Sequence, residues 1–292
     1  MRHSAHSHAG MTLVELMIAM ALGLAVALTA MTLLSAVKRS YLSVQDSVAI
    51  QDTGRYALEV IAEAVRQANF IPRDDPALAL LDPATLPPGV SGLDNSRLAD
   101  KTAALSEPQN NLQHHRSDVL ALRFFGAAGD TQRNCIGFAI TPPSITGSSN
   151  ADALNQQRGW SIFYIAADST GIPELRCKYS TRSNGWHATA IARGVEALHV
   201  LYGIGSEQEI EQYLPAMHMS AAQWRQVRAV RFAVLVRGDY VTLPDTGDSV
   251  HHLFGTGYQN GDDGVVTIKA GAQAGKLRKV FGMTVRLRNP AS

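Results

Sequence analysis

Glu15 is the only ionisable residue among residues 11–37, and its carboxylate is the first group in the chain whose setting demands a chemical explanation. An ionised side chain in hydrocarbon costs about 2.5 kcal/mol or more at mid-helix and less near an end, so such a group marks a use, such as pairing with a cation. Other reactive candidates are weaker. "GAQAGK" (271–276) has three residues between its glycines and is followed by Leu277, so it fails the phosphate-loop spacing and lacks the metal-binding hydroxyl. "GIGSEQ", from Gly203, has Gln208 in place of a third glycine and reads as a turn. The adjacent pairs His114–His115 and His251–His252 would point to opposite faces of a strand and make poor chelates, so they read as exposed loop histidines. "NGDDG" (260–264) lacks the spaced oxygens and closing Glu of a calcium loop and reads as a hairpin turn. Arg225, Arg228, Arg231 and Arg237 interleave with Trp224 and Phe232, a pattern that alternation on a half-exposed strand explains without nucleic acid. The expectation is no catalytic residue, no metal and no cofactor.

The elements that must carry Glu15 come next. Residues 11–37 exceed the roughly 20 apolar residues needed to cross a bilayer as a helix. Three readings compete: a cleaved secretory signal, a plain anchor, or a segment that uses Glu15. Ala25-Val26-Ala27 could serve a signal peptidase, but the apolar run continues past it to Val37, beyond the usual length of about 7 to 15 residues. Beyond Lys38, Tyr41, Val44, Val48, Leu58, Ile61, Val65 and Ala68 recur at helical spacing, with polar Gln45, Asp46, Gln51, Asp52, Glu59 and Glu63 between them. This predicts an amphipathic continuation over residues 38–70, with a bend possible at Gly54 and an end at Asn69-Phe70-Ile71-Pro72. One helix of roughly 87 Å would result at 1.5 Å per residue.

Residues 72–115 are rich in Pro, Asp, Asn and Ser and predict a long irregular connection. After it the period falls to two. In "SDVLALRFFG", Leu120, Leu122 and Phe124 share one face, and Val119, Ala121 and Arg123 the other. Further strands are predicted over 135–140, 160–166, 174–179, 195–202, 229–237, 265–269 and 280–287, separated by turn signals such as "TPPSITGSSN" and "DSTG". "SAAQ" (220–223) fits a capping box opening a short helix through Trp224 and Val227. Strand after strand implies an antiparallel sheet against the long helix, an α+β fold.

The chain has 292 residues and a formal net charge of +1, so no charge excess argues for a nucleic-acid partner. Arg2, His3, His6 and His8 precede the apolar run while Lys38 and Arg39 follow it, so the positive-inside count chooses no orientation. Cys135 and Cys177 are the only cysteines and form no Cys-x-x-Cys or zinc-like cluster.

Gly10 followed by "MTLVELMI", with the acid fifth after the glycine, resembles the class III signal of type IV pilins and type II secretion pseudopilins. The resemblance implies that a membrane-embedded prepilin peptidase cuts between Gly10 and Met11 and methylates the Met11 amino group, leaving the helix on the mature chain. It also implies a partner for Glu15, the α-amino group of a neighbouring subunit, a pairing that offsets the desolvation of both charges. With residues 1–10 as a cytoplasmic leader, residues 11–37 cross the inner membrane, 38–70 continue the helix and 71–292 form an exported head. In that oxidising compartment a Cys135–Cys177 disulfide is the economical reading, with two buried free thiols as the alternative.

"QDTGRYALEVIAEAVRQANF", "GVEALHVLYGIG", "WRQVRAVRFAVLVRG" and "KVFGMTVRLRNP" are similar to blocks of PilW-family minor pilins. Family members often follow a helix-end aromatic with Gly-Cys, where this chain has Phe70-Ile71-Pro72. The resemblance implies a non-enzymatic subunit that joins other minor pilins and the major pilin through the N-terminal helix, primes pilus assembly and sits at the tip on the cell surface. A tip adhesin of the PilY1 type is an implied partner. A J-type pseudopilin of type II secretion is the close alternative, and a membrane-tethered periplasmic enzyme the remote one.

Overall fold

The computed structural model describes residues 10–289 except 75–77, 79–80, 130, 145–150, 182–184, 207, 259–263 and 272. The chain divides into two units at residues 45 and 46. Helix α1 (Leu13–Gln67, 55 residues) begins in the first and runs into the second. In the first unit its apolar side chains stand exposed, from Leu13 and Val14 to Leu34 and Val37. The most apolar window of α1 has a mean hydropathy of 2.3, long and apolar enough to cross a bilayer.

In the second unit α1 buries one stripe: Asp46, Ile50, Gly54, Ala57, Leu58, Ile61, Ala62, Ala64 and Val65. That spacing is a helical face. The opposite face is polar, and Arg66 there bridges Glu59 at 3.0 Å and Glu63 at 3.4 Å. α1 runs through Gly54 without a break. A Cβ at position 54 would run into the Phe281 ring, so the glycine is a close-packing position. The helix ends before the proline rule would act, because Asn69 takes a left-handed conformation (φ 59°). Its amide donates to the Arg123 carbonyl at 2.9 Å, and its Oδ1 accepts from the Gly89 amide.

Thirteen strands follow among the described residues: β1 (Val90–Leu93), β2 (Ser96–Arg97), β3 (Gln109–Asn110), β4 (Val119–Phe124), β5 (Gly159–Ala167), β6 (Pro173–Ser180), β7 (Trp186–Arg193), β8 (Val195–Gly205), β9 (Ile210–Leu214), β10 (Val227–Val241), β11 (Ser249–His252), β12 (Val265–Ile268) and β13 (Lys276–Arg286). A short helix α2 (Ala151–Gln156) precedes β5. Two antiparallel sheets dominate, ordered β1-β4-β5-β6-β7 and β13-β10-β8-β9. Leu120, Leu122 and Phe163 of the first and Leu198, Val200, Phe232 and Val234 of the second share one buried cluster with Ile50, Leu58, Ile61 and Val65 of α1. The fold is thus α+β, with the helix stripe and the sheets making one core. The β11–β12 pair and the residues following β11 contribute Leu253, Phe254, Val266 and Ile268 to a second cluster with Ala197, Leu201, Ala233 and Leu235.

Four sequence expectations are corrected. Residues 135–140 are a turn with a single bridge between Arg133 and Ala139, not a strand, because their apolar side chains pack onto the core from a loop. β1, β2, β3, β7, β9 and β11, short or half-exposed, were not expected. The capping box at Ser220 exists, with Ser220 donating to Gln223 Oε1 at 2.9 and 2.8 Å, but it opens only a 3-10 turn (Gln223–Gln226) before Val227 starts β10. The histidine pairs are not simply exposed: His114 is buried, and His115 and His251 are half-buried. "NGDDG", residues 1–9 and the second half of "TPPSITGSSN" lie wholly or mainly outside the described residues.

The 72–115 connection also proves more than irregular. It supplies β1, β2 and β3, and its later part straps the outer face of the five-stranded sheet, where Leu98 and Leu105 join Val119, Ala121, Ile162 and Tyr164. Polar groups fasten it. The Tyr164 hydroxyl donates to Asp100 at 2.7 Å, Arg176 bridges Asp100 at 3.2 Å, and Lys178 Nζ donates to the Thr102 hydroxyl at 3.0 Å.

Lys178 is fully buried, and desolvation pushes its ammonium down to about 8 from an ordinary 10.5, against the opposing pull of Asp100. Between those values the unfolded chain holds a proton that the folded chain has lost, so this group makes stability rise with pH across that window. The full span is worth on the order of 3 kcal/mol. Lys178→Met should therefore melt higher than the parent at pH 7, and the gap should close as pH approaches 10. A pH-independent gap, measured by thermal unfolding of both proteins, would show that Lys178 is charged equally in both states.

Candidate functional site

The amino-terminal end of α1 gathers the residues singled out by the sequence. Gly10 and Met11 are exposed and precede the first helical residue, Leu13, which leaves the peptide bond between them in exposed, non-helical chain. Thr12 is the helix N-cap: its hydroxyl accepts from the Glu15 amide at 3.2 Å, while Glu15 Oε2 accepts from the Thr12 amide at 2.9 Å and from its hydroxyl at 3.0 Å. This is a reciprocal capping box, satisfying helix-end donors that apolar surroundings would otherwise strand. Sequence reasoning missed it, although Thr-x-x-Glu directly before an apolar run is its signature. Glu15 thus has a partner within its own helix. The box engages Oε2 alone, and Oε1 has no hydrogen bond or ion pair among the described residues, so one oxygen remains available for a cation.

Cys135 and Cys177 form a disulfide, with Cα atoms 6.3 Å apart. Cys177 is buried on β6 between Phe163 of β5 and Thr189 of β7. Cys135 comes from the loop, where its amide donates to Ser161 Oγ at 3.0 Å. The bridge therefore fastens the 133–139 loop to a sheet rather than joining two strands.

A groove of about 700 Å³ opens in the head, lined among others by Asp94, Arg116, Asp118, His199 and Met217. It brings several acid-base groups together. His199 Nδ1 lies 3.5 Å from Asp118 Oδ2, and both residues are buried. However, the Asp118 oxygens accept from the Asn95 amide at 3.1 Å and the Val200 amide at 2.9 Å. Those of Asp94 accept from the Ala216 and Met217 amides at 3.0 and 2.7 Å. Ser96, the one hydroxyl on the wall, donates to the Asp94 carbonyl. The carboxylates act as backbone caps that lock the 94–118 strap to β8 and to the turn after β9. Among the described residues no cluster of three or more His, Cys, Asp or Glu side chains could hold a metal.

Residues 162–289 match the family model described as Type IV Pilus-assembly protein W, and residues 6–31 match the prokaryotic N-terminal methylation motif. The first match spans β6 to β13, and the second includes Gly10, Met11 and Glu15. A solved structure of a type IV-like pilin from Thermus thermophilus is similar at 13% identity and a TM-score of 0.39, over 80% of this chain and 94% of that one. Among curated proteins none matches. The two family-model matches are those of a PilW-family pilin with a prepilin-type signal, a structural class whose apolar helix fits membrane anchoring and pilus assembly.

Proposed function

From a chain that matches a PilW-type pilin in its head and a methylation signal at its start, we propose a minor pilin that is processed between Gly10 and Met11, methylated on Met11, and assembled with other minor pilins and the major pilin at the pilus tip. The observation that carries this reading is Glu15, held by Thr12 through one oxygen at the head of an apolar helix with the other oxygen uncommitted. Residues 1–10 are then the leader and 11–37 the membrane-spanning half of the helix. Residues 38–70 are its amphipathic half and 71–292 the exported head, with a tip adhesin of the PilY1 type as a further partner. The free Glu15 oxygen receives the α-ammonium of an adjacent subunit, an opposite charge in low dielectric.

Processing gives the direct test. The scissile bond needs a small residue before it, and a Cβ at position 10 has open space around it among the described residues, so Gly10→Phe should leave the fold of the head unchanged. The variant should persist as a precursor longer by the ten-residue leader on a gel. Normal processing of Gly10→Phe would refute the prepilin assignment.

A further inference from the structure

The end of β10 presents an apolar lip that the core does not use. Tyr240, Val241 and Leu243 are 40%, 61% and 45% exposed. Among the described residues beyond α1, the other exposed large apolar residues, Leu112, Phe138, Met217 and Val250, stand singly in the sequence. The lip is held rigidly. The Thr242 and Leu243 amides both donate to the Gly275 carbonyl, at 3.0 and 2.9 Å, and Val241 pairs with Lys276 of β13. From the other side the buried Asp46 carboxylate accepts from the Asp239 and Tyr240 amides at 3.0 and 3.1 Å, an approach that Gly238 permits because a Cβ there would meet that carboxylate. Side chains on backbone already pinned by these bonds need little further ordering on contact, so the lip is pre-organised for a surface.

Chain connectivity names the surface. Asp46, which clamps the lip, follows Val37, the last residue of the apolar run, by nine positions. Nine residues reach at most about 30 Å even fully extended. The lip therefore stays within reach of whatever bilayer holds the run. Its composition suits the headgroup boundary: a tyrosine with an apolar ring and a polar tip, flanked by Val and Leu. Asp239 and Asp245 offset Lys276, and the nearby Arg237 and Arg278 are both paired with Glu196, so the lip carries no net positive charge to draw it to anionic lipid. We infer that, before assembly, the Tyr240–Leu243 lip rests in the headgroup–acyl boundary of the membrane that anchors the same chain, by apolar insertion rather than charge. This contact goes beyond the tip role and rests on the membrane reading of residues 11–37.

The test uses the full chain in vesicles of phosphatidylethanolamine and phosphatidylcholine, with an environment-sensitive fluorophore on one introduced cysteine, the native pair remaining oxidised. The positions are Val241→Cys, Val250→Cys as an exposed control, and Leu24→Cys within the apolar run. A lipid-borne quencher should act several-fold more strongly at position 241 than at 250, and molar salt should leave that ratio unchanged. Equal, weak quenching at 241 and 250 alongside strong quenching at 24 overturns the lip's membrane contact while leaving the anchor intact. Weak quenching at all three positions overturns the anchor and the inference together. Shielding at 241 that arises only when other pilins are co-reconstituted assigns the lip to a subunit interface and refutes the lipid contact.

Discussion

Glu15→Gln and Glu15→Leu are expected to fail equally in joining partner pilins, although only the leucine variant loses the bonds from Thr12 to the residue-15 side chain. Glutamine can close the same box with Thr12, so Glu15→Gln retains the hydrogen bonds seen at the start of α1 and removes the charge alone. If Glu15 served only the capping box, Gln would behave as wild type and Leu would lose at most about 1 kcal/mol, since the Thr12 hydroxyl still accepts from the residue-15 amide. If it receives a neighbour's ammonium, either change strands that cation in low dielectric. Breaking such a pair from one side costs about 3 to 5 kcal/mol, which weakens a lateral association by two orders of magnitude or more. Both variants should still be processed, inserted and folded, with the head disulfide intact. Thr12→Ala supplies the converse, a frayed helix start with association nearly unchanged. Co-purification of the membrane-embedded forms with minor pilins is the measurement, and normal recovery of Glu15→Gln would rule out the ionic role.

Replacing both cysteines with alanine should cost the head about 4 kcal/mol, the chain-entropy value for a loop of this length. Sequence separation of the pair is 42 residues. The denatured chain gains freedom on losing the bridge, while the folded chain keeps β6 inside the sheet, since Cys177 is flanked by Phe163 and Thr189 through backbone pairing. The effect should therefore appear as an earlier urea midpoint with the native sheet signal retained below it. The loop residues 133–139, tied otherwise by the Cys135 amide bond to Ser161 and the Arg133 amide bond to Gln67, should exchange hydrogen faster. A midpoint shift worth less than about 1 kcal/mol would mean that the unfolded chain is already compact or the bridge is little formed.

The parts of this protein that were legible in the sequence are those whose physics is local. The apolar run and its acid are read directly from residue types, and the stripe from Ile50 to Val65 follows from a 3.6-residue period within one helix. Strands β4, β5, β6, β8 and β10 were legible because each buries several apolar positions in a short span. β7 was not. It is an edge of the five-stranded sheet, its residues mostly half-exposed or exposed, so little hydrophobic pattern marks it. The loop at 135–140 deceived in the opposite sense, carrying Cys135, Ile136 and Phe138 without a neighbouring strand to pair with.

The candidate site divides the same way. Gly10, Met11 and Glu15 lie within one stretch, and even the missed capping box is a four-residue event that the sequence fully specifies. Tertiary structure alone decided the remaining roles. It made Gly54 the seat of Phe281, made Asp46 the clamp on Asp239 and Tyr240, and buried Lys178 beneath a segment that composition described as irregular. Each of these depends on a partner more than seventy positions away in the chain. A residue's own neighbours fix helix periodicity and caps, but a buried charge, a close-packed glycine or an edge strand takes its meaning from whatever the fold brings against it, and no local pattern encodes that partner.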